Sequence, residues 1–310
     1  MMKADSSKVN ISIIICTYNR CESLKKTLAS LMAQEIPEDI SYEVLVVDNN
    51  SSDKTKEVVE EFKAKYPGIF RYIFEKNQGL SFARNAGIRE AKGKIVAFTD
   101  DDVLVDKYWL VNIEKAFKEH PVACIGGKIL PLWETMPSEW LTKKLYSYLA
   151  LLDEGNEPIF LDWPKIWGAN FAVRSSVFKK YGQFNTSLGR TPGKLYAHEE
   201  SRFIKKLIEN EEKALYAPDI IVHHFIPVQR MCKNYFRKWK FDEGELDAIS
   251  MGEYVFRKIL NVPLFMIKKA MKQLLKYIHA ALFSPTEVFH EELEFIYYSG
   301  FIWGRLKLRG

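Results

Sequence analysis

Apolar positions follow two rhythms along the first hundred residues. Ile11 to Cys16, Tyr42 to Val47, Phe70 to Phe74 and Ile95 to Phe98 are short apolar runs rich in β-branched and aromatic residues. Between them the spacing is helical. Glu22 to Ala33 carries Leu24, Leu28 and Leu31 on one face, and a helix ending near Lys65 carries Val58, Val59 and Phe62. Gly79 to Ala91 reads as a third helix. Continuous rather than alternating apolar strands, separated by helices, predict a mostly parallel α/β sheet with helices on both faces. Ligands of such sheets bind beyond the carboxyl ends of the strands. Those ends are polar here: Thr17 after the first strand, Asp48 after the second, and Asp100, Asp101 and Asp102 after the fourth.

Further along, Glu199 and Glu200 open a helix through Phe203, Ile204, Leu207 and Ile208. Ile220 to Phe225 reads as a short strand ending in His223 and His224. Neighbours on a strand point to opposite faces, so only one of the two histidines can enter a given site. From Met231 the pattern changes, and a helical C-terminal extension is expected, with a boundary between residues 1–227 and 228–310. Pro263 opens a helix with Leu264, Ile267, Met271, Leu274 and Ile278 in one stripe, flanked by Lys268, Lys269, Lys272 and Lys276. No acid occurs between Ile259 and Pro285. Such a segment suits an anionic membrane surface; the other reading is a helix packed on the rest of the chain with a solvated lysine face.

Charge sharpens this division. The chain of 310 residues carries a formal net charge of +5, and residues 228–310 hold 14 Lys and Arg against 9 Asp and Glu. The first 227 residues are balanced, so the excess points to a local anionic surface and not to nucleic acid. Cys16, Cys21, Cys124 and Cys232 form no Cys-x-x-Cys pair, which fits a reduced, cytoplasmic compartment. Met1 to Asn10 is polar, without the apolar core of a signal peptide. No stretch approaches the ~20 apolar residues of a spanning helix.

Three adjacent carboxylates at a strand end repel one another. They suit a hard cation such as Mg²⁺ or Mn²⁺, or else a solvated turn or helix N-cap. Neither Gly-x-Gly-x-x-Gly nor Gly-x-x-x-x-Gly-Lys-[Ser/Thr] follows the first strand, which disfavours Rossmann dehydrogenases and P-loop enzymes. Any phosphates must then be neutralised by metal and basic side chains.

Four stretches in order, Thr17-Tyr-Asn-Arg20, Val47-Asp-Asn-Asn-Ser-Ser-Asp53, Asn77 to Gly87 and Phe98-Thr-Asp-Asp-Asp102, resemble the successive motifs of family 2 glycosyltransferases. The resemblance extends through Gly168-Ala-Asn-Phe-Ala-Val-Arg174, Glu199-Glu200 and His223-His224, over roughly residues 9 to 240. It implies a GT-A fold and an inverting enzyme that uses nucleotide-diphospho sugars with Mn²⁺ or Mg²⁺. Asp48 would then bind the nucleotide base. Thr17, Asn19, Arg20, Asn77, Gly79 and Arg84 would lie around the nucleotide-sugar, with Gly168 and Asn170 on the strand behind the donor sugar. Asp100 and Asp102 would form the Asp-x-Asp motif, Asp102 nearest the metal, with Asp101 between them and His224 or His223 as a further ligand. The family's Glu-Asp is Glu199-Glu200 here, so either glutamate is a candidate base, Glu200 matching the second acid.

The acceptor implied is a saccharide or lipid-linked saccharide in cell-surface polysaccharide or glycoconjugate synthesis; the lysine-flanked stripe, if it meets a membrane, would make the chain peripheral at its inner face. Two rivals use the same features. A sugar nucleotidyltransferase also employs strand-end carboxylates with Mg²⁺, and a scaffold subunit keeps the fold without needing Asp100, Asp102, Arg84 and Glu200 together.

Overall fold

A computed structural model describes residues 9–188, 199–251, 257–284 and 286–308. The chain divides into two compact units. Of the described residues, the first comprises 9–134, 149–188 and 199–226, and the second 135–148, 227–251, 257–284 and 286–308.

The first unit opens with β1 (Ile11–Thr17), α1 (Cys21–Met32), β2 (Tyr42–Asp48), α2 (Thr55–Lys65), β3 (Phe70–Phe74), α3 (Leu80–Glu90) and β4 (Ile95–Asp100). The four strands lie parallel in the order β3-β2-β1-β4. Register decides what stands at their ends. Thr17 pairs with Asp48, and Cys16 with Asp100, so the polar ends of β1, β2 and β4 finish at one level.

Then follow β5 (Val103–Val105), α4 (Trp109–Glu119), β6 (Cys124–Trp133), β7 (Ile159–Leu161), β8 (Asn170–Arg174), α5 (Ser175–Tyr181), α6 (Glu199–Glu209) and β9 (Ala214–Ile226). Here β8 runs antiparallel between β4 and β6, while β9 pairs parallel with β6 and antiparallel with β5 and β7. The strand expected over Ile220 to Phe225 is thus the second half of a longer one. Its first half is masked in the pattern by Pro218 and Asp219, and the register with β6 shifts there, from Gly127 opposite Ala217 to Lys128 opposite Ile221. A bulge lets a strand continue past residues that do not pair. Ile14, Leu45, Val47, Phe98, Phe171, Phe178 and Phe203 share one core that joins the sheet to its helices.

The second unit holds α7 (Lys233–Ser250), the short pair β10 (Lys258–Ile259) and β11 (Val262–Pro263), α8 (Leu264–Phe283) and α9 (Val288–Lys307). Helices α7 and α9 meet backbone to backbone. A Cβ on Gly300 would fall on the Phe241 carbonyl, and one on Gly244 on the Tyr297 carbonyl. Charges line the same seam: Arg237 pairs with Glu292 at 2.7 Å, Lys240 with Glu294 at 3.1 Å and Lys307 with Glu245 at 2.8 Å. Among the described residues no helix is long and apolar enough to cross a membrane.

Because backbone cannot move aside as a side-chain tip can, Gly300→Ala should lower the stability of this unit by about 1–3 kcal/mol. Thermal denaturation followed by circular dichroism reads the effect, and an unchanged melting curve would contradict the close crossing.

Candidate active site

One wall is built from the loops after β1, β2 and β3. Asp48 is buried, and its two oxygens accept from the Tyr72 hydroxyl at 2.7 Å and the Ser51 N–H at 2.8 Å. Burial and the Asp48 carboxylate push the Tyr72 hydroxyl well above its ordinary pKa. Asn19 adopts φ of 52°; its N–H donates to Ser51 Oγ at 2.9 Å, and its side-chain oxygen accepts from the Ser52 N–H at 2.7 Å. It therefore locks the first loop to the second.

Asn49 links the second loop to the third. Its amide donates to the carbonyls of Asn77 at 2.7 Å and Glu75 at 3.1 Å, and its oxygen accepts from the Gly79 N–H at 2.8 Å. Gly79 has φ of 140°, a region open to glycine and strained for other residues. Asn77 donates from both its main chain and its side chain to Glu75 Oε1. Asn49 lies in the stretch from Val47 to Asp53 without a role of its own in the sequence, and nothing in the sequence marks Tyr72. The only trace was polarity: Asn49 directly follows a strand-end aspartate.

The three aspartates stand beside this wall in three environments. Arg20 reaches Asp101 Oδ1 and Asp102 Oδ2, each at 2.9 Å. Asp102 Oδ1 lies 3.2 Å from His224 Nε2. Burial pushes Asp101 up to about 6, against the opposing pull of Arg20 and with the neighbouring Asp102 adding to the rise. Arg20 therefore offsets part of the repulsion among these carboxylates. His224 comes to the acids because β5 and β9 pair Val103 with His224, and the Phe225 N–H donates to the Asp102 carbonyl at 2.9 Å. His224 is buried, whereas its neighbour His223 is partly exposed.

Arg84, from α3, occupies the centre. It is buried, ion-pairs with Glu199 Oε1, and lies 3.7 Å from Glu200 Oε2 and 3.8 Å from Asp100 Oδ1. Its guanidinium sits 5.6 Å from the Phe171 ring centre and 5.8 Å from that of Phe184. Burial alone would lower the Arg84 pKa, but Glu199, then Glu200 and Asp100, outweigh it, and the pKa rises. The surface arginine that an amphipathic helix suggests is therefore a buried cation holding three acids together.

Gly168 is explained by that cation, since a Cβ there would collide with Arg84 Nη2. The Gly168 N–H donates to Glu200 Oε1 at 3.2 Å. Asn170 points its amide into the sheet. Its oxygen accepts from the Trp109 indole at 2.8 Å, and its nitrogen donates to the Lys128 and Ile220 carbonyls at 2.9 and 2.8 Å. Its side chain fastens β8 to β6 and β9.

Chemistry follows from these environments. Burial pushes the thiols of Cys16 and Cys124 up to about 12, which removes them as nucleophiles at neutral pH. Among the described residues no three His, Cys, Asp or Glu side chains form a closed metal cage. The Asp102–His224 pair suits an open site instead, in which an oxygen-seeking divalent cation completes its shell with water and ligand phosphates. Arg20 is 42% exposed at its side chain, against 9% or less for Asp101 and Asp102, so it is the partner of the three that faces solvent.

The model of glycosyl transferase family 2 matches residues 12–182, more than half of the chain. Glycosyltransferase AglE of Haloferax volcanii is 27% identical over 258 residues, covering 83% of this chain and 80% of that protein. The glucosyl-dolichyl phosphate glucuronosyltransferase of the same organism is 25% identical, covering 70% and 69%. The succinoglycan biosynthesis protein ExoM of Rhizobium meliloti is 25% identical over 83% and 80%. Among solved structures, a mannosyltransferase from Pyrobaculum calidifontis in complex with GDP-Man and Mn²⁺ superposes with a TM-score of 0.63 at 18% identity, covering 96% of this chain and 88% of that one. The fold is GT-A.

The Arg84–Glu199 pair yields a stability test. Arg84→Ala leaves Glu199 buried without its cation and should cost about 3–5 kcal/mol. Arg84→Met combined with Glu199→Gln removes both charges and should recover most of that loss. Urea denaturation of the two variants measures the difference; equal losses would show that the pair is not coupled.

Proposed function

The chain belongs to glycosyl transferase family 2, and from that premise we propose an inverting transfer of a sugar from a nucleoside-diphospho-sugar to a hydroxyl of a saccharide or lipid-linked saccharide. Catalysis is assigned to residues 1–227. One observation carries the reading: the two adjacent glutamates live differently. Glu199 is locked to Arg84 with 2% of its side chain exposed, whereas Glu200 has 12% exposed and is held by the Gly168 N–H at 3.2 Å. Glu200, the less enclosed of the two and the farther from Arg84, is the acid assigned to the incoming hydroxyl, and Glu199 fixes the arginine beside it.

In this reading the acceptor hydroxyl gives its proton to Glu200 while its oxygen attacks the anomeric carbon. The bond from that carbon to the diphosphate oxygen breaks as the new bond forms, and its electron pair leaves with the nucleoside diphosphate. A single displacement inverts the anomeric centre. The wall of Thr17, Asn19, Asp48, Asn77 and Gly79 seats the nucleoside, with the buried Asp48 as the acceptor for a base N–H. Arg84 and Arg20 bring positive charge to the side where the diphosphate departs.

A divalent Mn²⁺ or Mg²⁺ would be held by Asp102 and His224, with Asp100 beside them, and when bound supplies charge to stabilise the leaving diphosphate. The donor sets of Asp102 and His224 and the Mn²⁺ in the Pyrobaculum complex support this choice. The names of the relatives, one acting on a dolichyl phosphate and one in succinoglycan synthesis, support a lipid-linked or polysaccharide acceptor.

Glu200→Gln should lower turnover by about 100-fold or more while calorimetric affinity for UDP- or GDP-sugars stays unchanged. Glu199→Gln should retain more turnover and lose stability instead; the reverse pattern would exchange the two roles. Separately, UDP or GDP binding should weaken in EDTA and in Asp102→Asn. Equally tight binding with and without Mn²⁺, in both proteins, would rule out a cation held through Asp102.

A further inference from the structure

In the second unit, α8 turns the wrong residues outward for a helix that ends at the protein surface. Its inward face is Met266, Ala270, Gln273 and Ala280, small or polar for the most part. The large apolar side chains face solvent instead: Met271 is 63% exposed, Leu275 67% and Leu282 68%, and Leu274, Ile278 and Phe283 are exposed with them. On a helix of 100° per residue, Met271, Leu274, Leu275, Ile278 and Leu282 fall within one arc of about 100°. Burying that arc against α9 would have been the ordinary outcome, yet α9 takes the small side.

Lys268, Lys272 and Lys276 follow one flank of this arc, with Lys269 behind them. Among the described residues none of these four lysines makes an ion pair, although acids are abundant on α9 and elsewhere in the unit. Lys272 and Lys276 also line a cleft of 440 Å³ with Leu275 and His279, whose far wall carries Glu287 and Glu291. A row of lysines without ion pairs among the described residues, beside an exposed apolar stripe, matches a surface that is apolar below and anionic at its edge.

We propose that α8 docks the protein onto an anionic lipid bilayer, lying in the plane of the interface with the Met271–Leu282 stripe among the acyl chains and the lysines at headgroup level. A helix without enough continuous apolar length to span a bilayer, but with one apolar face, lies on it. Each lysine near an anionic surface strengthens attachment about fivefold. A second copy of the chain is a poorer occupant, because pairing α8 with α8 would bring four lysines from each helix to one seam without an acid from either.

The test uses the full chain, with co-sedimentation on vesicles of phosphatidylcholine alone or with phosphatidylglycerol, and light scattering for the mass in solution. Capture by the anionic vesicles, little capture by the neutral ones, and partial release by salt are expected. Leu275→Asn with Leu282→Asn, and Lys268→Gln with Lys272→Gln, should each reduce capture by about tenfold or more without changing the thermal melt or UDP and GDP binding. Equal capture by the two vesicle types, or by the variants and the parent, overturns the assignment. So does a dimer in solution that the leucine pair dissolves, without capture by either vesicle. The lipid and salt series on the unmodified protein decides the matter even if a variant fails to fold.

Discussion

A buried arginine is stable only if the protein surrounds it with acids, and Arg84 sets the terms for much of the first unit. Its charge is taken from water into a pocket walled by Phe171 and Phe184, a step that costs several kcal/mol unless partners are close. Glu199 and Glu200 supply them from the start of α6, and Asp100 from the end of β4. Those contacts bring the start of α6 to the end of β4. The same cation forbids a side chain at position 168, and the backbone N–H of that residue holds Glu200. Positioning of the acids follows from solving a desolvation problem.

Sheet register does the complementary work. Parallel strands whose apolar runs end together deliver their first polar residues to one edge, which is why Thr17, Asp48 and Asp100 finish within one residue of each other along the sheet although they lie far apart in sequence. The second half of the sheet repeats the device with other geometry. Antiparallel pairing of β5 with β9 is what returns the chain to the aspartates and sets a buried histidine against Asp102.

The alternating βα pattern was plain from apolar periodicity, because continuous burial leaves a strong signal in composition. Harder to see was anything that depends on distant partners. Nothing in the α3 sequence marks Arg84 as buried, since an arginine on an amphipathic helix usually faces water. Arg20 as the counter-charge of two aspartates was equally hidden, as the residues stand some eighty positions apart. Helix α8 shows the opposite case. Its apolar stripe was legible, but whether the stripe packs inward is a matter of which face α9 chooses, and only the fold states that α9 takes the small residues. The extended β9 was missed because Pro218 and Asp219 interrupt the pattern where the strand bulges.

Asn49 carries a different kind of consequence. One side-chain amide holds the carbonyls of Glu75 and Asn77 and the N–H of Gly79, so a single residue freezes two loops that would otherwise sample many conformations. The entropy of ordering that wall is spent when the chain folds. A ligand arriving at it has no loop left to organise, and keeps for affinity the roughly 1–2 kcal/mol per residue that fixing a flexible backbone would have taken.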